Sequence, residues 1–531
     1  MSSTANLRTR RSAAQLHALA GVEREIHAQD SHGRRKYLRE FAEAFTTYDS
    51  ILDAHALHNV VSAADVVLIG DYHALPACQR YAASIVEQRA LAGDRPVVLG
   101  VETIFARDQH ILDEWWRREI DETELRQRIR FDLDWGYDWG PFYELLVAAR
   151  DHGEGVYGLD CMPRENLRKI GARDRHAAVK IAEIRERHPR AAIFVLFGES
   201  HLAPGHLPRI LKRQLPAEKI FTVLQNVDAL YWRAAGERTE KVEAVRVQDD
   251  VLCVFNATPL EKYESYRLFL DQWSRCESGP DYAPSIYNLI NSLASFLEIN
   301  RYSPHNGTQP KFLVDMLPEV HGNSSEAMMR RLLSRKAVNG QRLQSTLASV
   351  EERGSAYCPE LNAFCIREFQ LGHASEDAAR FLHHACRGLP KRINGHGRSG
   401  DGLIEKNNGS APTDAFYTNV IENAAAYFGS RVLYPARLAP EADSSFTLSR
   451  AACEKAASAA VRAGDEKFDS ITQEWGYRLG NLIYDAYLAG RVKPSGLRRL
   501  FLAHLDEPGL ARKVCTAVMA RVRAASRSAH V

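Results

Sequence analysis

The feature that most constrains this chain is a beat of short, wholly apolar runs between residues 60 and 256. Runs of strand length occur at Val66–Gly70, Val97–Glu102, Val156–Leu159, Ala192–Gly198, Ile220–Leu224 and Val251–Phe255. A strand with one wet face alternates apolar and polar residues, so a run that is apolar throughout has both faces covered. The segments between them, "ACQRYAASIVEQRALA", "RDQHILDEWWRREI", "PFYELLVAARDHG" and "RDRHAAVKIAEIRERHP", carry apolar residues at helical spacing. Alternating strands and helices predict an α/β domain, a mostly parallel sheet covered by helices. The last two runs, joined by the charged "RAAGERTEKVEAVRVQDD", are expected to form a hairpin at the sheet edge.

At 531 residues the chain exceeds what one core usually holds. Residues 1–55 read as a helical arm and 56–275 as the α/β domain. Beyond 276 strand signals fade, and 276–531 reads as a largely all-α region. The Gly-, Asn- and Ser-rich stretch near 389–413 is expected to be a flexible loop. Lys+Arg is 69 against Asp+Glu 67, so nothing in the charge suggests a nucleic-acid partner. The nine cysteines follow no metal-finger or disulfide pattern. There is no secretory apolar segment and no run long enough to span a bilayer, which points to a cytoplasmic protein. Protein partners are left open, a homo-oligomer among them.

Two of the runs end alike. "VVLIGDYH" closes on His73 and "IFVLFGESH" on His201, each a Gly-x-x-His; between them "RPVVLGVET" closes on Glu102. Ligands of open parallel sheets bind outside the carboxyl ends of the strands, so His73, Glu102 and His201 are predicted to converge in one crevice. Each alone is an ordinary polar strand end; together they are a candidate catalytic set, and two imidazoles with a carboxylate are also a metal-ligand set for a divalent transition metal. Asp71 and Glu199 hold equivalent places in the two motifs and are candidates to orient the imidazoles or act as second bases. The aromatic block "FDLDWGYDWGPFYELLVAARDHG" reads either as a core plug or as a flat wall for a large planar ligand, with Tyr137 or Tyr143 available as a phenolate ligand. Asp160 ends another run and is expected near the site. Arg173 and Asp174 open the next helix, where an Asp is most often a cap.

Taken in order, the Gly-Asp-Tyr-His strand end, Glu102, "WGYDWGPFYELLVAARDHGEGVYGLDCMPREN", "RDRHAAVKIAEI" and "VLFGESHLAPGHLPRIL" resemble the ChaN-like haem-binding uptake domain over residues 60–225. That domain belongs to a superfamily with TIKI/TraB proteins and erythromycin esterases. The resemblance implies a crevice that binds haem or a similar large hydrophobic ligand, with a role in iron or haem handling. Its other branches imply a hydrolase of amides or esters, metal-dependent or based on His and Glu, built on His73, Glu102 and His201. The same stretch adds His206 to the ligand-binding residues. A third expectation is a scaffold whose α/β site is degenerate.

Overall fold

A computed structural model describes residues 2–30, 36–161, 170–238, 241–275, 279–299, 316–322, 325–335, 340–387, 412–440, 448–463, 465–503, 505 and 507–527. The chain divides into two compact units, Glu23–Ser274 and a second made of Met1–Val22 with Arg275–Val531. The loop expected near 389–413 falls, up to residue 411, outside the described residues.

The unit Glu23–Ser274 is built on eight strands: β1 Ser50–Leu52, β2 Val66–Asp71, β3 Val97–Phe105, β4 Gly155–Asp160, β5 Ala192–Gly198, β6 Ile220–Gln225, β7 Ala244–Gln248 and β8 Val251–Val254. Their order in the sheet is β1-β7-β8-β6-β2-β5-β3-β4. From β8 to β4 all neighbours are parallel. Alternate residues serve opposite faces. Val67, Ile69, Leu99, Val101, Phe194 and Leu196 join one apolar cluster; Val66, Leu68, Val98, Ile193, Val195 and Phe197 join the other. This is the period of two expected of a strand buried on both sides. Helix starts are written locally: Pro76 opens Pro76–Leu91, and the Asp138 carboxylate accepts from Gly140 N at 3.2 Å to cap Trp139–His152.

The expected edge hairpin is corrected. Ile220–Gln225 and Val251–Val254 are parallel neighbours. The charged connection between them carries the helix Asp228–Glu237 and then β7, and the hairpin is β7–β8. Only a long crossover can join parallel neighbours, and the polar stretch concealed one. The edge strand is β1, paired antiparallel with β7 and drawn from what read as a helical arm.

The second unit is helical for the most part. Its larger helices include Ala283–Phe296, Leu371–Arg387, Pro412–Leu433 and Asp465–Leu488. It also holds a three-stranded sheet of β9 Glu319–Gly322, β10 Ser355–Cys358 and β11 Ala363–Ile366, in the order β10-β11-β9. Each strand has only four residues, too few to carry a readable period.

Candidate functional site

The sheet order seats β2 beside β5 and β5 beside β3, with Asp71 in register with Gly198. His73 lies two residues past the end of β2, and His201 lies in a short 3-10 turn after β5. Glu102 is not past a strand end: β3 runs on to Phe105, and its pairing with β4 shifts register between Val101 and Phe105. Between those two positions the Glu102 side chain faces the two histidines.

The three side chains converge. Glu102 Oε2 is 3.8 Å from His73 Nε2, and Oε1 is 3.7 Å from His201 Nε2. Each imidazole is fixed through its other nitrogen. His73 Nδ1 is 2.6 Å from Asp71 Oδ2, and His201 Nδ1 is 2.6 Å from Asp174 Oδ1. A carboxylate on Nδ1 holds the proton there and leaves Nε2 as the acceptor. Arg173 Nη1, 3.3 Å from His201 Nε2, donates into that lone pair. The side chain of His73 is 18% exposed, against 4% for His201 and 3% for Glu102, so His73 is the member a ligand meets first.

Arg173 organises the charges. Its Nε and Nη2 reach the two oxygens of Asp160 at 2.8 and 2.9 Å, and Nη2 also donates to Glu102. The backbone N–H of Gly198 donates to the other Glu102 oxygen. Burial pushes the Glu102 carboxyl up, but Arg173, the two imidazoles and the Gly198 N–H outweigh it and hold the group down at about 2. Gly198 also keeps the centre open. A Cβ there would stand 3.0 Å from Glu102 Oε2 and 3.5 Å from His73 Nε2.

Several expectations change. Asp174 is no cap: its oxygens serve His201 and, at 2.8 Å, Nδ1 of His206. Glu199 does not mirror Asp71; it turns away to Lys262 Nζ, 3.0 Å from each oxygen. Tyr143 is remote from the crevice, stacked on Trp139 at 5.6 Å and edge-on to Trp115 at 6.0 Å within the core. Tyr137 does reach the site. Its ring is 5.3 Å from that of His73 and stacks on Phe269 at 4.3 Å; Trp135 meets His73 edge-on at 5.0 Å. Phe269, Trp273 and Lys262 come from the helix Pro259–Arg275, which the sequence reading left without a role. Lys262, Glu264 and Arg267 on that helix are buried, which the sequence does not disclose, since charged residues on a helix read as a solvated face.

A divalent metal does not fit this arrangement. Both oxygens of Glu102 are engaged, and a guanidinium already supplies the positive charge beside the Nε2 of His201 that would have to ligate. Among the described residues no group of three His, Cys, Asp or Glu side chains is placed to hold a metal ion. Haem meets the same obstacle at the imidazoles, whose Nε2 atoms face Glu102. The residues that could meet it by carbon contact are the aromatic shelf of Trp135, Tyr137, Phe269 and the half-exposed Trp273. No helix among the described residues is long and apolar enough to cross a membrane.

Residues 57–192 match the family model for haem-binding uptake, Tiki superfamily, ChaN. The match takes in β2, β3, β4, Glu102, Arg173 and Asp174 and stops short of His201. A solved structure described as cofacial heme binding to ChaN of Campylobacter jejuni is 14% identical, with 38% of this chain and 91% of that one covered and a TM-score of 0.27. No curated protein matches the chain.

Proposed function

We propose that the crevice of the unit Glu23–Ser274 is an acid–base site that hydrolyses an ester or amide. What carries this reading is one arrangement: two imidazoles, each fixed by a carboxylate on Nδ1, turn both Nε2 atoms to one buried, ionised glutamate. His73, the more exposed, is the general base. It takes a proton from water at Nε2 while the water oxygen adds to the substrate carbonyl carbon, and Asp71 stabilises the imidazolium that forms. The proton then passes to the leaving oxygen or nitrogen as the carbonyl is restored. Glu102, held ionised by Arg173, lies beside both imidazoles, where its charge offsets the positive charge that develops on His73 during the reaction. Tyr137 and Phe269, stacked on each other beside His73, offer the apolar part of the substrate aromatic carbon surface. The test is hydrolysis of 4-nitrophenyl acetate by the full chain and by His73→Ala. Activity that survives unchanged in the variant overturns the assignment.

A second reading is favoured by the family match over 57–192. In it the shelf holds haem by carbon contact, with Tyr137 the phenol within reach and a role in haem or iron handling. Bound there, haem would bring a redox-active iron. Titration with hemin, followed by visible absorption in wild type and Tyr137→Ala, tests it. Equal binding by the two proteins removes the shelf as the haem seat.

A further inference from the structure

A second cavity of about 310 Å³ lies in the unit Glu23–Ser274, bounded by the helix Leu207–Gln214 and by residues of β6 and β8. Residues three and four apart on a helix are neighbours, so positions 209, 212 and 213 share one side of it. Arg209, Lys212 and Arg213 all line the cavity. Lys212 is paired with Asp250, which lines it too, and the Asp250 carbonyl accepts from Thr222 N at 2.9 Å. Arg209 and Arg213 have no ion-pair or hydrogen-bond partner among the described residues. Like charges four apart on a helix repel, and here three positive charges face one negative. The strand beneath carries a polar anomaly. Ile220 and Leu224 of β6 belong to the same apolar cluster as Phe45 and Leu202, and Thr222 sits between them in the period of two. Thr222 is 4% exposed and lines the cavity, and its hydroxyl bonds no other described residue. A buried hydroxyl ordinarily has a partner; this one is left to what fills the cavity. Basic residues on a short helix are usually a solvated face, and the cavity with its buried hydroxyl sets this group apart.

We propose that this cavity binds a small organic phosphate, a phosphate monoester with an apolar body. Three cations and one carboxylate leave an excess of two positive charges in the lining, and a phosphate monoester carries close to two negative charges at neutral pH. Arg209 and Arg213 supply the paired N–H donors that match phosphate oxygens. Lys212, held by Asp250, adds a point charge, and the Thr222 hydroxyl gains the acceptor that it lacks. Phe45, Leu202 and Pro208 give the body of the ligand carbon to pack against. A carboxylate has half the charge and one oxygen fewer, so it matches this lining less well. His73, Glu102 and His201 do not line the cavity, and the assignment stands apart from the hydrolase reading of the crevice.

The test is calorimetric titration of the full chain with phenyl phosphate, inorganic phosphate and benzoate. Phenyl phosphate should bind most tightly of the three. Its affinity should fall as salt rises from about 0.05 to 0.5 M, because the cations are exposed. Arg209→Gln together with Arg213→Gln should weaken it by about tenfold or more, the scale of lost charge-assisted contacts. Both positions are exposed, so the fold is retained. Thr222→Val keeps the shape of the side chain without its hydroxyl and should weaken binding about threefold. Arg190→Gln removes an exposed arginine outside the lining and should bind as wild type does. Absence of phenyl phosphate binding overturns the proposal, as does binding that the paired arginine variant leaves unchanged or that Arg190→Gln weakens equally. Inorganic phosphate bound as tightly as phenyl phosphate overturns the assignment of an organic ligand, since the carbon wall would then contribute nothing.

Discussion

Each of the two compact units buries a glutamate against guanidinium groups, and the partners differ in kind. In the unit formed by residues 1–22 and 275–531, the Glu376 carboxylate is met by Arg353 at 2.9 Å, Arg380 at 3.2 Å and Arg437 at 2.5 Å, and it accepts from the Tyr477 hydroxyl at 2.7 Å. Guanidinium and phenol groups hold one protonation state across the physiological range. Arg380 shares the helix Leu371–Arg387 with Glu376, while Arg353, Arg437 and Tyr477 come from separate segments, so the cluster acts as a tie between elements. In the unit Glu23–Ser274, Glu102 has a single guanidinium and two imidazoles, rings that can accept as well as donate a proton. It also lies where parallel strands end and a crevice opens. Burial of charge is common to both clusters; imidazole partners at strand ends distinguish the one around Glu102.

The largest expected effects break the comparison directly. Glu102→Gln should cut ester hydrolysis about 10²–10³-fold, the range of a lost electrostatic stabilisation beside the general base. Glu376→Gln should leave kcat near wild type yet lower the free energy of unfolding by about 3–5 kcal/mol, because it strands buried arginines without a counter-charge. Steady-state rates and denaturant unfolding of both variants read the two axes. Turnover lost in both would break the contrast.

Acid offers a second handle of somewhat smaller size. Because the folded Glu102 carboxyl sits at about 2 against an ordinary 4.5, its contribution to stability is complete above 4.5 and is lost as the pH falls to about 2. The shift corresponds to something on the order of 3 kcal/mol. Burial pushes Glu376 up, but its three arginines hold it lower still, so its contribution survives to more acid pH. Wild type minus Glu102→Gln, measured by unfolding from pH 7 to 2, should shrink across the window from 4.5 to 2. A difference that stays flat over that window would show that Glu102 is not held ionised.

How much of this was legible in the sequence depends on the range of the interaction. The six apolar runs are local patterns, and all six are strands. The histidines at the ends of β2 and β5 follow from the same patterns plus the general rule for parallel sheets. The partners that define their chemistry do not. Glu40 reaches His206 across 166 residues and Arg173 reaches Glu102 across 71, and no local period encodes such pairings. Asp71 and Glu199 looked equivalent by spacing, yet Lys262 claims Glu199 for a different contact. Tyr143 could be placed only by its helix. On Trp139–His152 it packs among Trp115 and Trp139, the core alternative that the aromatic block always allowed.

A milder perturbation probes the space between the imidazoles. At Gly198 the backbone φ is −48°, so an alanine meets no backbone strain. Its Cβ would, however, press on Glu102 Oε2 at 3.0 Å and occupy the gap beside His73 Nε2. Gly198→Ala should therefore unfold within about 1 kcal/mol of wild type, the scale of a slight overpacking, while turnover falls by about tenfold, the scale of a small displacement of catalytic groups. A variant as active as wild type would mean that the gap is not where substrate or water sits.

The smallest expected effect separates the shelf from the cluster. Gly136 has φ +66° and lies against the ring of Trp273, which is 53% exposed. In Gly136→Ala the left-handed backbone costs about 1 kcal/mol, and the new Cβ overlaps the indole, which has solvent to swing into. Displacing Trp273 weakens its contact with Phe269, 5.9 Å away, and loosens the outer part of the shelf. The inner contacts of His73 with Trp135 and Tyr137, and the carboxylate bonds on both imidazoles, are untouched by that movement. Ester hydrolysis of a small substrate should thus remain near wild type. Hemin, whose seat would be the shelf itself, should bind about fivefold more weakly, or ~1 kcal/mol. Paired hemin titration and 4-nitrophenyl acetate kinetics on this one variant decide the matter. Weaker hemin binding with intact turnover places the two activities on different parts of one crevice, and intact hemin binding removes haem from the shelf.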